Sequence, residues 1–113
     1  MGNKIILISS YCDNEEKISV LESNIRTLIL NSCFIDLRII ELLVKKLNNL
    51  NELHLSSNNY STINFSSSFT QPSLKILYFN NNSLEDWTDI LKLGVCFPSL
   101  EHLVISENLI NNF

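Results

Sequence analysis

Four segments of this chain repeat one pattern of apolar residues at a nearly constant spacing. Each begins with an aliphatic residue, apolar residues follow at the fourth, sixth and eleventh positions, and Asn or Cys occupies the ninth. The segments are residues 25–35, 50–60, 74–84 and 100–110, and their starts lie 25, 24 and 26 residues apart. A period in this range is typical of repeat proteins, in which each unit buries its apolar face against the next. We therefore expect a stack of similar units.

The internal pattern L-x-x-L-x-L-x-x-N/C-x-L is that of the leucine-rich repeat. It predicts an α/β leucine-rich-repeat solenoid of about five repeats, with parallel strands on a concave face and helices or loops on a convex face. The additional repeat is a diverged first one, in which Ile5 and Leu7 align with Leu28 and Leu30 while Gly2 replaces the first apolar residue.

The whole of residues 1–113 is expected to form a single leucine-rich-repeat domain. The fifth repeat stops at Phe113 without a return helix or a polar cap. We therefore expect the chain to be a fragment of a longer protein.

The segments that connect the strands differ from one repeat to the next. Apolar residues recur at helical spacing over residues 37–47, which predicts the best helix of the chain, and residues 13–21 predict a shorter one. Residues 61–72 are rich in Ser and Thr and predict irregular backbone. The apolar side chains expected to hold that segment in place are Ile63, Phe65 and Phe69.

A further helix is predicted after Glu85, with Ile90, Leu91 and Leu93 on its buried side and Gly94 at its end. Asp86 and Asp89 at the start of this helix are expected to cap it and to favour its dipole. A catalytic carboxylate pair is the less favoured alternative. Trp87 is expected to pack against the next repeat, with a partner contact on the convex face as the alternative.

The ninth position of the repeat predicts a structural ladder that consists of Cys33, Asn58, Asn82 and Asn108. A buried amide at this position satisfies backbone groups where the chain turns out of the strand. Cys33 as a nucleophile is the alternative, but the pattern places no base beside it.

Side chains at positions three, five and seven are predicted to project from the concave sheet, because they alternate with the buried ones. The position-five column is apolar for a solvent-facing row, which is typical of a protein-binding surface. Ordinary β-propensity is the alternative explanation. The predicted partner-binding residues are Ile29, Glu52, His54, Ile76, Tyr78, His102 and Val104.

Other classes of function find little support in the residues. The formal net charge of −4 comes from dispersed acidic residues and argues against nucleic acid, and no apolar run is long enough to span a membrane. His54 and His102 are predicted to lie two strands, about 10 Å, apart, too far for a shared zinc ion. We expect no enzymatic activity, no catalytic or metal site and no cofactor. Three cysteines without C-x-x-C spacing predict reduced thiols in the cytoplasm.

Residues 50–108 resemble the leucine-rich-repeat region of tubulin-specific chaperone cofactor E-like proteins. The segments that carry the resemblance are the run Asp86-Trp87-Thr88-Asp89-Ile90 and the K-L-G-V-C-F-P-S-L run of residues 92–100. The resemblance implies a cytoplasmic, cytoskeleton-related protein that binds tubulin and takes part in disassembly or turnover of its heterodimer. In that family a ubiquitin-like domain follows the repeats.

Two alternatives stay open beside this protein-binding module. One is a generic leucine-rich-repeat adaptor in ubiquitin-ligase or RNP assembly, and the other is a fragment without independent function.

Overall fold

The computed structural model describes residues 3–6 and 25–110. Within these residues five strands form one parallel sheet, in which each strand pairs with the next one in the chain. The elements in chain order are β1 (Asn3–Ile6), β2 (Ile25–Ile29), α1 (Leu37–Val44), β3 (Glu52–His54), β4 (Ile76–Tyr78), α2 (Trp87–Cys96) and β5 (His102–Val104). The α/β class and the parallel sheet are as predicted. Leu7, Phe113 and the short helix predicted over residues 13–21 lie outside the described residues.

The pairing register of the sheet follows the repeat pattern from β2 to β5. Leu53 of β3 lies opposite Leu28 and Leu77, and Leu77 in turn lies opposite Leu103 of β5. Equivalent positions of successive repeats are therefore direct neighbours across the sheet, as the alignment of the repeats predicted.

The β1–β2 pair contains one irregularity. Lys4 pairs with Thr27 in the predicted register, but Asn3 pairs with Ile25, because the register shifts by one residue between Asn3 and Lys4. The expectation that Gly2 aligns with Ile25 is therefore not met.

The core lies on one side of the sheet, beneath the two helices. Leu53 and Leu77 are fully buried there and pack in the same apolar cluster as Ile40 and Leu43 of α1 and Leu93 of α2. The leucines of the repeat pattern therefore join successive repeats into one continuous core, because each of them lies on the side of the sheet that the helices cover.

Each helix begins at an aspartate whose side chain caps it. Asp36 accepts a hydrogen bond of 2.9 Å from the backbone N–H of Arg38, and Asp86 accepts one of 2.9 Å from that of Thr88. This cap bond is the main cause that lowers the pKa of the exposed Asp86 carboxyl. The capping role predicted for Asp86 is confirmed. Neither helix is long and apolar enough to cross a membrane, within the part of the chain that the structure describes.

Two details predicted for α2 are wrong. The helix does not end at Gly94 but continues to Cys96, where Phe97 caps it with an N–H bonded to the carbonyl of Leu93. Leu91 is exposed rather than buried, because it points about 200° around the helix from the buried Leu93. Of the predicted buried side, Leu93 is fully buried and Ile90 packs partly against the core.

The third connection, residues 61–73, contains no helix or strand, as its composition predicted. Ile63 and Phe69 are buried in the core, and Phe65 lies partly buried beside them. The Phe65 ring lies 5.0 Å from that of Phe69 and 6.0 Å, edge-on, from that of Phe97. Aromatic packing therefore occupies only part of the space that a return helix takes in the neighbouring repeats, and a groove remains beside α2.

Polar side chains of both helices hold this irregular connection. Asp89 of α2 is almost completely buried and accepts a hydrogen bond of 3.0 Å from the backbone N–H of Ile63. Glu41 of α1, also buried, accepts one of 2.7 Å from the N–H of Ser66. These two carboxylates satisfy backbone donors that have no partner from regular secondary structure.

Gln71 ties the end of the same connection to the end of α1. Its amide nitrogen donates to the carbonyls of Val44 and Leu47, at 2.9 and 3.1 Å. Its own backbone N–H donates to the carbonyl of Cys96, at 2.7 Å. The buried amide thus adds a second hydrogen bond to carbonyls at and just after the end of α1, which also accept from the backbone N–H groups of Leu47 and Leu50.

Candidate functional site

The side of the sheet opposite the helices is here named the outer sheet face. It presents two columns of side chains, which alternate along each strand with the buried leucines. The first column contains Thr27, Glu52, Ile76 and His102, and the second contains Ile29, His54, Tyr78 and Val104. Of these eight side chains, that of His102 is exposed and the other seven are partly buried.

The second column is a contiguous strip. His54 pairs with Ile29 on one side and with Tyr78 on the other, and Tyr78 pairs with Val104. The His54 and Tyr78 rings stack with their centroids 4.3 Å apart and their planes inclined by 20°. Side chains far apart in sequence therefore form one row of apolar and aromatic surface at intermediate exposure.

Glu52 adds a charged group beside this strip. Its carboxylate lies 2.5 Å from Nε2 of His54, and both side chains retain part of their exposure to solvent. This contact orients the imidazole, and the ring of Tyr78 covers one of its faces. The contacts within the cluster of Glu52, His54 and Tyr78 therefore restrict the rotamers of these side chains in the isolated chain.

The surface at His102 differs from that around His54. His102 pairs with Ile76 and lies in the other column, at the edge strand β5 of the described sheet. Ile76 lies between the strand of Glu52 and that of His102. The seven residues predicted from the sequence therefore share one face, although only Glu52 and His54 interact through their polar groups.

A ladder of amides borders the sheet where the chain leaves each strand. Oδ1 of Asn58 accepts hydrogen bonds of 2.7 Å from the backbone N–H groups of Cys33 and Phe34. Its amide nitrogen donates to the carbonyls of Leu30 and Leu55, at 3.0 and 2.9 Å. The single side chain thus bonds to its own repeat and to the preceding one.

Asn82 and Asn108 repeat this arrangement one and two repeats later. Oδ1 of Asn82 accepts from the backbone N–H groups of Asn58 and Tyr60, at 2.9 and 3.1 Å. Oδ1 of Asn108 accepts from the N–H of Leu84, at 3.1 Å. The ladder lies beyond the C-terminal ends of the strands, and its amides form hydrogen bonds with backbone groups.

The residue before each ladder position has a left-handed backbone. The φ angles of Ser32, Ser57, Asn81 and Glu107 are 56°, 61°, 54° and 59°, and these residues all occupy the eighth position of their repeat. None of them is glycine, although L-residues adopt this conformation at a cost. A tight turn therefore recurs at the same place in each repeat.

Cys33 and Cys96 are buried thiols at separate places in the fold. Burial raises the pKa of both, and for Cys96 the nearby charge of Glu41 raises it further. A raised pKa reduces the thiolate fraction at neutral pH, which is the opposite of what a nucleophile needs. Within residues 3–6 and 25–110, no group of three or more His, Cys, Asp or Glu side chains has an arrangement that could hold a metal ion.

One surface on the helix side was not predicted from the sequence. Leu91 and Val95 of α2 project into solvent beside a groove of about 730 Å³, whose other wall is the irregular third connection. The available signal was the helical period, which cannot place both Ile90 and Leu91 on the buried stripe with Leu93.

Comparison with known proteins identifies relatives of this chain. It is 39% identical over 105 residues to the human tubulin-specific chaperone cofactor E-like protein and 38% identical to the rat protein of the same name. Both alignments cover 87% of this chain. It is also 38% identical over 88 residues, 75% of this chain, to the tubulin-folding cofactor E of Arabidopsis thaliana.

The matched region is a limited part of each relative. The chain spans 24% of the length of the human and rat proteins and 16% of the plant protein. No protein-family model matches the chain, and no solved structure does. The resemblance derived from residues 50–108 is nevertheless confirmed: this chain is homologous to a segment of the tubulin-specific chaperone cofactor E-like proteins.

Proposed function

We propose that the chain is a leucine-rich-repeat solenoid that binds a protein partner through its outer sheet face and catalyses no reaction. The observation that carries this proposal is the contiguous column of Ile29, His54, Tyr78 and Val104, which lies partly exposed on the sheet. A solenoid of parallel strands would make this face concave, and solenoids use such surfaces to bind partners.

The composition of the face supports protein binding over catalysis. Ile76 and Tyr78 supply apolar area near its centre, while Glu52 and His102 supply polar groups around it, which is the usual arrangement of an interface. Tyr78 stacks on His54 and is therefore held in place, and ordered aromatic side chains commonly contribute much of an interface's binding energy. The buried thiols have raised pKa values, which does not favour a nucleophilic role.

We further propose that the partner is tubulin and that the protein takes part in disassembly or turnover of its heterodimer in the cytoplasm, with cytoskeletal association. The names of the human, rat and plant relatives support a tubulin-related chaperone role. Because the chain spans about a quarter of the human and rat proteins, the segment is proposed to contribute binding surface to that process.

A pull-down with soluble αβ-tubulin tests the proposal directly. The purified chain is immobilised, and retention of tubulin is compared between wild type, Tyr78→Ala and His54→Ala. Both substitutions lie on the outer sheet face at partly exposed positions and should leave the fold intact. Leu91→Ala on the helix side is the matched control, since it removes a large apolar side chain from an exposed position that the proposal does not use.

The expected result is retention by wild type and Leu91→Ala and clear loss in the other two variants, each with an unchanged circular dichroism spectrum. Equal retention by all four proteins would exclude the outer sheet face as the tubulin-binding surface. No retention by folded wild-type chain would exclude tubulin binding by this segment alone, and it would leave a generic adaptor or a fragment without independent function as the better explanation.

A further inference from the structure

Helix α2 carries an apolar ridge that points away from the core. Its members Trp87, Leu91 and Val95 are 39%, 69% and 64% exposed. They are three of the five large hydrophobic side chains that are exposed in the described part of the chain. Successive members are four residues apart, so they lie above one another along a single i±4 row of the helix. Rows of this kind are the surfaces with which helices pack against each other.

A groove follows the ridge along the side where the third repeat has no helix. Leu91 and Val95 form one wall, and Ile63 and Phe65 of the irregular connection form the other. The groove has a volume of about 730 Å³, and α2 with its ten residues extends for about 15 Å at 1.5 Å per residue. A further helix of about three turns would therefore match α2 in length.

The backbone of the groove wall favours a helix over an extended peptide as its occupant. The N–H groups of Ile63 and Ser66 already donate to the carboxylates of Asp89 and Glu41. A strand added along this wall would have to replace those bonds. A helix satisfies its own backbone and needs only apolar side-chain contacts from the groove.

Charged groups along α2 determine where acidic and basic residues lie on a helix that binds in the groove. Lys92 is the one charged residue that lines the groove, and its side chain is 56% exposed, with the ammonium group 3.6 Å from a carboxylate oxygen of Asp89. Glu85 and Asp86 are exposed just before Trp87, at the N-terminal end of the ridge. A complementary helix carries an acidic residue opposite Lys92 and basic residues opposite Glu85 and Asp86.

We propose that this groove binds an amphipathic helix of a partner protein, which occupies the space left by the helix that the third repeat lacks. The helix inserts an apolar i, i+4 row beside Leu91 and Val95 and is oriented by its charges. This surface lies on the side of the sheet opposite the outer sheet face, so the interaction is independent of the proposed tubulin contact.

The single tryptophan of the chain provides a local signal, because Trp87 lies at one end of the ridge. The probe is a synthetic amphipathic peptide of about 14 residues, roughly four helical turns, with Leu in an i, i+4 row, Glu placed opposite Lys92 and Lys placed opposite Glu85 and Asp86. A second peptide has the same composition with the positions of Glu and Lys exchanged.

The expected result is a saturable blue shift of Trp87 emission with the first peptide and affinity about tenfold lower for the charge-exchanged peptide at low salt, since one or two exposed ion pairs are replaced by repulsion. The double variant Leu91→Gln, Val95→Gln should lose at least about tenfold in affinity, because both apolar contacts disappear. Leu109→Gln, at another exposed apolar position, should bind as wild type. Circular dichroism establishes that each variant is folded.

Three results would overturn the proposal. The first is absence of binding, and the second is equal affinity for the two peptides. The third is a Trp87 shift that rises with protein concentration in the absence of peptide and coincides with a dimer in light scattering, which would make a second copy the occupant. If the glutamine variants fail to fold, Leu91→Ala and the comparison of the two peptides on wild type decide the question.

Discussion

Replacement of Asn82 by alanine is expected to destabilise the fold far more than its small change in side-chain volume implies. The Asn82 side chain is 5% exposed. Its oxygen accepts from the N–H groups of Asn58 and Tyr60, and its nitrogen donates to the carbonyls of Leu55 and Phe79 at 3.0 and 3.2 Å. Alanine removes these four bonds and leaves no group of similar shape to replace them.

The magnitude follows from the backbone groups that lose a partner. A buried donor or acceptor left unsatisfied costs about 1–3 kcal/mol. The N–H groups of Asn58 and Tyr60 lose their acceptor, whereas the carbonyls of Leu55 and Phe79 still accept from the amide nitrogens of Asn58 and Asn108. Water entering the small space left by the amide would recover part of this loss. We therefore expect a decrease of about 2–4 kcal/mol in the free energy of unfolding, which is a large part of the roughly 5–15 kcal/mol typical of a domain.

Urea denaturation followed by far-ultraviolet circular dichroism measures this difference. Asn108→Ala is the matched control, because Asn108 occupies the same position of the next repeat but is half-buried and accepts from one N–H group, that of Leu84. We expect it to lose about half as much, because each unsatisfied group is also partly hydrated. Equal losses for the two variants, or a loss below about 1 kcal/mol for Asn82→Ala, would refute the reasoning that the amide stabilises by satisfying buried backbone groups.

Three further predictions concern the core, the third connection and the second helix. Leu77→Ala should cost about 2–5 kcal/mol as a core truncation, whereas Tyr78→Ala should leave the urea midpoint nearly unchanged; the reverse order would place the strand out of register by one residue. Asp89→Ala should accelerate amide hydrogen exchange at Ile63, whose N–H loses its acceptor, and unchanged protection by NMR would contradict this role. Because the cap bond lowers the pKa of Asp86, its contribution is present above the pKa of the unfolded chain and is lost as pH falls through the lower folded value. The difference in stability between wild type and Asp86→Asn should therefore shrink in acid, and a constant difference would argue against the cap.

The strand register was accessible from the sequence because burial determines it. A shift of one residue would place Leu53 and Leu77 on the outer sheet face and Tyr78 in the core, so the alternation of apolar residues admits only one pairing. The outer sheet face follows from the same alternation. Whether a partner binds there depends on surfaces that this chain does not contain.

The end of α2 was predicted incorrectly because a local signal competed with packing. Glycine is common at the C-terminal end of helices, so Gly94 suggested that the helix ends there. Cys96 and Phe97 are buried beyond it, however, and their packing extends the helix. A Cβ atom at Gly94 would have no atom from another part of the fold within 4 Å, so the glycine is not required for close approach. Tertiary contacts here outweigh the intrinsic preference of one residue.

The polar contacts of the third connection could not be derived from local patterns. Glu41 and Asp89 bond to backbone groups that are 25 and 26 residues away in sequence. A signal was nevertheless present: both carboxylates fall on the buried stripe of their helices, where a charged residue normally requires a partner. When a buried carboxylate lies next to a repeat that has no helix, it is expected to accept a hydrogen bond from the backbone of that repeat.

The left-handed turns give adjacent positions of each repeat opposite effects on stability. A non-glycine residue at the eighth position strains the backbone by about 1–2 kcal/mol, while the amide at the ninth position holds the turn in place. In the third and fourth repeats these neighbours are Ser57 with Asn58 and Asn81 with Asn82. Substitutions at the two positions should therefore be coupled rather than additive, because relief of strain at one reduces what the amide at the other must offset. The residues tolerated at the eighth position of a repeat therefore depend on the residue at the ninth, and this dependence recurs at the same turn of each repeat.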